Sequence, residues 1–293
     1  TFEGYGEELT YYTIAGMFNP YWVSSWQNIY SDRLRINENA YINLTPIKGL
    51  NIRSAVGLDF NDRRSTGKFY ITTGYPNVNP TASAQETFSR FYRWTVTNTA
   101  EYKFDIARLH HFTALAGQET MRSKTQAFGI TANEIQDNRL ILMSAAGKAD
   151  IPGHTLSEEV RNSWFGMFNY NFADKYFVDL SVRRDGSSLF GANNRWATFG
   201  AAALMWDVTK EQFMAPTRSW LDDLQVKVSY GSTGNSGISP YLALGLVGSG
   251  PLYNKVSGTA VANAANPDLT WETVKIFNVA LSGKVFGRFT YNF

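Results

Sequence analysis

Few side chains in this sequence have the type and spacing to do chemistry. His110, His111 and His154 are its three histidines, and it contains no cysteine. Without a thiol there can be no disulfide framework, thiolate nucleophile, iron-sulfur cluster or thiolate zinc site. His110 and His111 are sequence neighbours, so on a strand their rings leave opposite faces and cannot share a metal. Gly231-Ser232-Thr233-Gly234-Asn235 has the glycine content of a phosphate loop. It lacks the Gly-Lys-Ser/Thr ending and no helical pattern follows, so it reads as a strand running out into a loop. Asp185-Gly186-Ser187-Ser188 is turn chemistry, with glycine free to take positive φ and the short polar side chains bonding nearby backbone. No catalytic constellation, metal site or cofactor site is expected, and the chain does not read as an enzyme. Tyr21, Trp22 and Trp26 are a different kind of candidate. Exposed rings in a loop can stack on sugar or meet a partner, and they can equally form part of a membrane-interface girdle.

The elements that must carry these residues follow from composition and periodicity. The 293 residues include 20 Phe, 16 Tyr, 8 Trp and 24 Gly, a balance that favours strands punctuated by turns. No run of about 18 apolar residues exists, which excludes a helical membrane span. Lys and Arg total 27 against 25 Asp and Glu, scattered along the chain, so no nucleic-acid footprint is present. The opening Thr1-Phe2-Glu3-Gly4-Tyr5 has no basic segment, apolar core or cleavage site, and the chain is expected to be mature or trimmed.

About ten segments alternate apolar and polar residues with period two. Leu34, Ile36, Glu38, Ala40, Ile42 and Leu44 oppose Arg35, Asn37, Asn39, Tyr41 and Asn43. Leu50, Ile52, Val56, Leu58 and Phe60 oppose Asn51, Arg53 and Asp59, and Tyr92, Trp94, Val96 and Tyr102 oppose Arg93, Thr95, Thr97 and Lys103. Val178, Leu180 and Val182 oppose Asp179, Ser181 and Arg183, while Val226 and Val228 oppose Gln225 and Lys227. The segments reach roughly 10 residues, longer than an ordinary globular strand and suited to a tilted bilayer crossing. Connections alternate between short (45–49, 105–107, 173–174, near 286–287) and long (61–89, 123–160, 235–269), as in outer-membrane barrels. Two fit less well: 184–194 is only moderate, and 209–222 is longer than its place requires. Trp94, Trp164, Tyr170, Phe172, Tyr176, Trp196 and Trp206 fall near segment ends, where barrels carry aromatic girdles, although aromatics also pair across strands in any sheet.

Three blocks carry a family resemblance. Asn169 to Tyr176, continuing through Arg184-Asp185-Gly186-Ser187-Ser188-Leu189-Phe190-Gly191 to Arg195-Trp196, resembles the barrel of SusC/RagA-type TonB-dependent outer-membrane transporters. So do the run containing Gly231, Gly234 and Asn235 and the run Asn266-Pro267-Asp268-Leu269-Thr270-Trp271-Glu272. Leu189 stands where the family more often has arginine. The bottom-up role of these motif residues is structural: turns, and the opening of a strand at Trp271 and Glu272.

The resemblance implies an all-β, antiparallel up-and-down transmembrane barrel, of which residues 1–293 would supply about ten of 22 strands. The plug domain and TonB-coupling segment would lie elsewhere, and the closing Phe289-Thr290-Tyr291-Asn292-Phe293 is expected to be a strand cut short. It further implies residence in the outer membrane of a Gram-negative, Bacteroidota-like cell, among its lipid. The activity implied is TonB-dependent import of oligosaccharides or peptides, with a SusD-type surface lipoprotein and the TonB energy-transducing complex as partners. A structural or secretion-associated barrel without transport, and a soluble glycan-binding β-sandwich, are the competing readings.

Overall fold

A computed structural model describes residues 24, 26–72, 79–254 and 256–293. Among the described residues twelve strands follow one another: β1 (Gln27–Leu44), β2 (Leu50–Phe69), β3 (Ala82–Ile106), β4 (His110–Ile135), β5 (Lys148–Phe172), β6 (Tyr176–Ser187), β7 (Trp196–Asp207), β8 (Leu221–Asn235), β9 (Leu246–Tyr253), β10 (Val256–Asn263), β11 (Glu272–Val285) and β12 (Phe289–Asn292). Ten of them form a single sheet in the order β1-β2-β3-β4-β5-β6-β7-β8-β11-β12, with β9 and β10 as a separate antiparallel pair. Nearest-neighbour order of this kind is the up-and-down topology that the alternation predicts.

Short hairpins set the register. Ala107 and Arg108 (φ 52° and 56°) and Ala173 and Asp174 (φ 53° and 56°) make two-residue turns with both central residues left-handed, as do Phe286 and Gly287 (φ 53° and 64°). Such turns match the right-handed twist of the flanking strands, and a one-residue slip would turn every apolar side chain to the wrong face. The hairpins are stitched to one another, since Ala173 N donates to Leu109 O at 2.7 Å and Asp207 N to Lys175 O at 2.8 Å.

The chain divides into two compact units. One takes the described residues up to Glu38 with Leu58–Arg93 and Ser123–Glu158; the other takes Asn39–Gly57, Trp94–Arg122 and Glu159–Phe293. In the second unit β6 and β7 have 12 residues each, β8 has 15 and β11 has 14, lengths suited to a tilted membrane crossing. Its apolar side chains stand outward, with Leu180 45%, Leu204 57% and Val279 62% exposed. Burial inside a protein core does not explain this face; contact with lipid does.

In the first unit a small core of Ala82, Ala84, Ala132, Ile135 and Ile141 packs with Tyr70, Ile71 and Met143. Asn138 pins it by accepting a hydrogen bond from Ile71 N at 2.6 Å and donating to Ile71 O at 3.3 Å. Strands here run well past the expected boundaries: the connection expected at 61–89 narrows to 70–81 and that at 123–160 to 136–147. In β2 pairing persists through residues 61–68, polar on both faces, because the backbone ladder needs no apolar partner. Side chains such as Arg64 and Glu86 (2.7 Å) or Arg90 and Asp62 (2.7 Å) bridge strands instead.

Candidate functional site

Cross-strand register sorts the second unit into two faces. Val178 pairs with Leu204 and Leu204 with Val228, which puts these apolar side chains on one face; Asp179 pairs with Ala203 and Ala203 with Ser229 on the other. Gln225 and Lys227 share the polar face, opposite Asp207 and Met205. Where strands line a barrel, that face meets the lumen.

Two features mark it. Arg183 donates from Nε to Asp185 at 2.6 Å and from Nη2 to Glu119 at 3.3 Å, its guanidinium lying 5.3 Å from the Phe165 ring centre. Glu119 also accepts from Thr97 at 3.1 Å. Beside this network Ser181, Ala201, Ala203, Ser229 and Gly231 line a shallow recess of about 420 Å³ edged by Asp179 and Asn278. Small side chains leave the wall thin there, and the polar edge offers acceptors and donors to whatever lies against it.

At the long-loop end the motif residues come together as a clasp between 188–195 and 264–271. Gly191 N donates to Leu269 O at 3.0 Å and Asn193 N to Pro267 O at 3.2 Å. Asn193 and Asn194 side chains donate to the Asp268 carboxylate and carbonyl at 2.7 and 2.9 Å. Phe190, 2% exposed, packs on Trp271 with ring centres 4.4 Å apart, and the Trp271 indole donates to Arg195 O at 3.3 Å. A Cβ on Gly191 would collide with the Pro267 carbonyl, and one on Gly234 with the Phe199 ring. Gly231 and Gly186 lie close to Ala201 and to the Trp196 ring. Ser188 bridges to β5, accepting from Val160 N at 3.0 Å through Oγ and donating from its own N to Val160 O at 2.9 Å. Ser187 N donates to Arg195 O at 3.0 Å, and Ser187 Oγ accepts from Leu189 N at 3.2 Å. Asn235 holds Glu272 at 2.9 Å, and Asn266 Oδ1 accepts from Asp268 N at 3.2 Å. Asp185 belongs to the Arg183 network, whereas Arg184 points to the apolar face, 5.6 Å from the Trp196 ring centre.

Trp26 is half-buried immediately before β1, and its carbonyl accepts from Tyr70 N at 2.8 Å. Tyr21 and Trp22 lie outside the described residues. Asn193, Phe199 and Glu119 are participants that sequence reasoning did not single out. Asn193 meets a partner 75 positions away, and no local pattern signals that meeting.

The short-turn end is aromatic. Phe104, Phe112 and Tyr170 stack in succession at 4.8 Å, His110 donates to or accepts from the Tyr170 hydroxyl at 2.8 Å, and Tyr176 lies over Trp206 at 6.4 Å. His111 instead meets Asp105 on the opposite face. Residues 208–210 and 212–217 form two 3₁₀ turns in the connection that was too long for its place. Between them Glu211 accepts from Tyr176 Oη at 2.6 Å, Lys175 Nζ at 3.2 Å and Trp206 Nε1 at 3.3 Å. The Tyr176 phenol above all, with Lys175 and Trp206, holds the Glu211 carboxyl below the usual carboxylate range against the opposing effect of burial. Among the described residues no three His, Cys, Asp or Glu gather as a metal would require, and no helix is long and apolar enough to cross a membrane.

An up-and-down sheet with one lipid-compatible face, one polar face, short turns at one end and long connections at the other defines the wall of an outer-membrane β-barrel. The chain belongs to the family described as TonB dependent receptor-like, beta-barrel, whose model matches residues 2–293. It is therefore an outer-membrane receptor barrel of the SusC/RagA type and not an enzyme. The TonB-dependent receptor P26 of Formosa agariphila is 29% identical over 271 residues, covering 86% of this chain and 26% of that protein. The TonB-dependent receptor SusC of Bacteroides thetaiotaomicron is 34% identical over 136 residues, 44% of this chain and 14% of SusC. A solved structure of the RagAB peptide transporter superposes with a TM-score of 0.87 at 32% identity, covering 94% of this chain and 31% of that one. The chain thus spans about a quarter to a third of P26 and of the RagAB chain.

Proposed function

We propose that these residues form part of the wall of a TonB-dependent importer that carries peptides or oligosaccharides across the outer membrane. In this reading the plug domain and the TonB-coupling segment belong to the rest of the protein, and a SusD-type surface lipoprotein caps the barrel. The observation that carries the reading is the likeness, along nearly the whole chain, to a structure described as a peptide transporter. The polar face supports it. Arg183 lies between the Asp185 and Glu119 carboxylates and the recess is lined by Ser and Ala with Asp179 at its edge, so the wall offers a wet, polar path instead of a tight site for one small ligand. Tyr21, Trp22 and Trp26 are proposed to lie on the cell surface, where they meet cargo or the lipoprotein.

The test uses the full-length gene in its own host. Deletion should abolish uptake of labelled peptides or of labelled oligosaccharides, and uptake should also stop when TonB is removed. Normal uptake of both cargoes in the deletion strain would refute transport and favour a purely structural barrel. Trp22→Ala with Trp26→Ala should reduce uptake or lipoprotein co-purification; wild-type levels of both would remove these residues from the proposed contact.

A further inference from the structure

The lipid-facing side changes character near the long loops. Arg184 sits directly opposite Trp164 in the β5–β6 register and 5.6 Å from the Trp196 ring centre, and both tryptophans are exposed, 57% and 45%. The preceding Arg183, on the polar face, is paired with two carboxylates. Arg184 has no carboxylate partner among the described residues.

Next to Arg184 lies a hollow of about 520 Å³ between Ile52, Ala100, Ala116, Gly166 and Val182. It exists because three neighbouring outward positions carry only a methyl group or a hydrogen. Amides border the hollow: Ser54 donates to Asn98 at 2.8 Å, Asn98 to Gln118 at 3.3 Å and Gln118 to Asn162 at 3.0 Å. This row of polar side chains on the outward face marks the end of the hydrocarbon.

Depth agrees. Trp206, in the short-turn girdle, and Trp196 are the two ends of the outward side of β7. Ten residues at about 3.3 Å, tilted by about 40°, rise about 25 Å, the height of an outer-membrane apolar band. Arg184 and its two tryptophans therefore stand at the outer boundary of the membrane, where indoles favour the interface and a guanidinium presents a planar fork to phosphate.

We propose that Trp164, Arg184 and Trp196, with the hollow beside them, form a binding site for a phosphorylated lipid of the outer leaflet. The phosphate takes the Arg184 guanidinium, the indoles flank the headgroup, and an acyl chain fills the space left by Ala100, Ala116 and Gly166. This assignment rests on the sheet being a membrane wall and not on what the barrel imports, so a failed uptake assay leaves it standing.

The experiment uses the full-length protein, delipidated in mild detergent and titrated with bis-phosphorylated lipid A, with the same lipid after dephosphorylation and with inorganic phosphate, bound lipid being counted by native mass spectrometry. Wild-type protein should hold phosphorylated lipid at least about tenfold more tightly than R184Q does, R184K should fall between, and neither dephosphorylated lipid nor inorganic phosphate should match it. Gly166→Leu, whose Cβ would meet only ordinary contacts, should weaken lipid binding by filling the hollow while leaving heat-modifiable mobility unchanged. Should R184Q fail to fold, Gly166→Leu decides. Equal binding by wild type and the folded variants would overturn the proposal. So would equal affinity for dephosphorylated lipid or for phosphate alone, or a co-purifying protein that covers Arg184 in place of lipid.

Discussion

Replacing Gly191 by alanine should open the clasp at the long-loop end while sparing the barrel wall. The added Cβ would sit deep inside the van der Waals contact of the Pro267 carbonyl and 2.9 Å from the Asn266 carbonyl, backbone atoms that no rotamer change can move away. The two segments of the clasp must separate. Separation breaks the Gly191–Leu269 and Asn193–Pro267 bonds, about 1 kcal/mol each, and draws Phe190 away from Trp271, a further loss of about 1.5–3 kcal/mol for a buried aromatic ring. The sum, roughly 3–5 kcal/mol, falls on one local opening and not on global unfolding. Hydrogen exchange of the full-length protein in detergent should therefore speed up by about a hundredfold or more in peptides covering 188–195 and 264–271, at about 1.4 kcal/mol per tenfold, with β6 and β7 unchanged. Gly153→Ala, where a Cβ would meet nothing within 4 Å, is the silent control. Unchanged exchange in both clasp peptides of Gly191→Ala would refute the close-approach argument and reduce the glycine to a turn former.

Leu180→Arg puts a charge on the lipid face at a cost of about 2–4 kcal/mol near the midplane, whereas Ser181→Arg faces the polar side; heat-modifiable barrel should fall only in the first, and equal loss would invert the face assignment. Replacing Ala107-Arg108 by Asn-Gly relieves two non-glycine residues held at positive φ, each about 1 kcal/mol or more, and should raise the thermal midpoint of the barrel; a lower midpoint would mean that these side chains contribute more than their strain costs. Glu211 has its carboxyl held below the usual 4.5 in the folded chain, so its stabilisation is complete above that value and is lost as pH falls through the depressed one. Glu211→Gln should lower the thermal midpoint at pH 7 and flatten its decline toward pH 3; parallel curves for the two proteins would remove Glu211 from the acid response.

Period-two alternation determined, from the sequence alone, that Val178, Leu180, Val226 and Val228 share one face and Asp179, Ser181, Gln225 and Lys227 the other. This is legible because the direction of a side chain on a strand depends only on its parity and the local turns. The same locality separated His110 from His111, recognised the short hairpins and excluded the phosphate-loop reading of Gly231 to Asn235. Strand ends were not legible: β2 continues to Phe69 through residues polar on both faces, where the ladder is held by backbone bonds and cross-strand ion pairs that leave no periodic trace, and β4 continues to Ile135 through a stretch where Phe128, Ile130 and Ala132 are interrupted by polar residues on both faces. Motif residues were visible as motifs, but the use of each was not. Only the fold brings Gly191 against Pro267, Phe190 onto Trp271 and Asn193 to Asp268, contacts spanning more than seventy positions, and only the fold turns Arg183 toward two carboxylates while its neighbour Arg184 stands between two tryptophans on the lipid side. A strand records in its own sequence which solvent each face meets. Which partner a side chain meets depends on neighbouring strands and distant loops, and that is decided by register and closure in three dimensions.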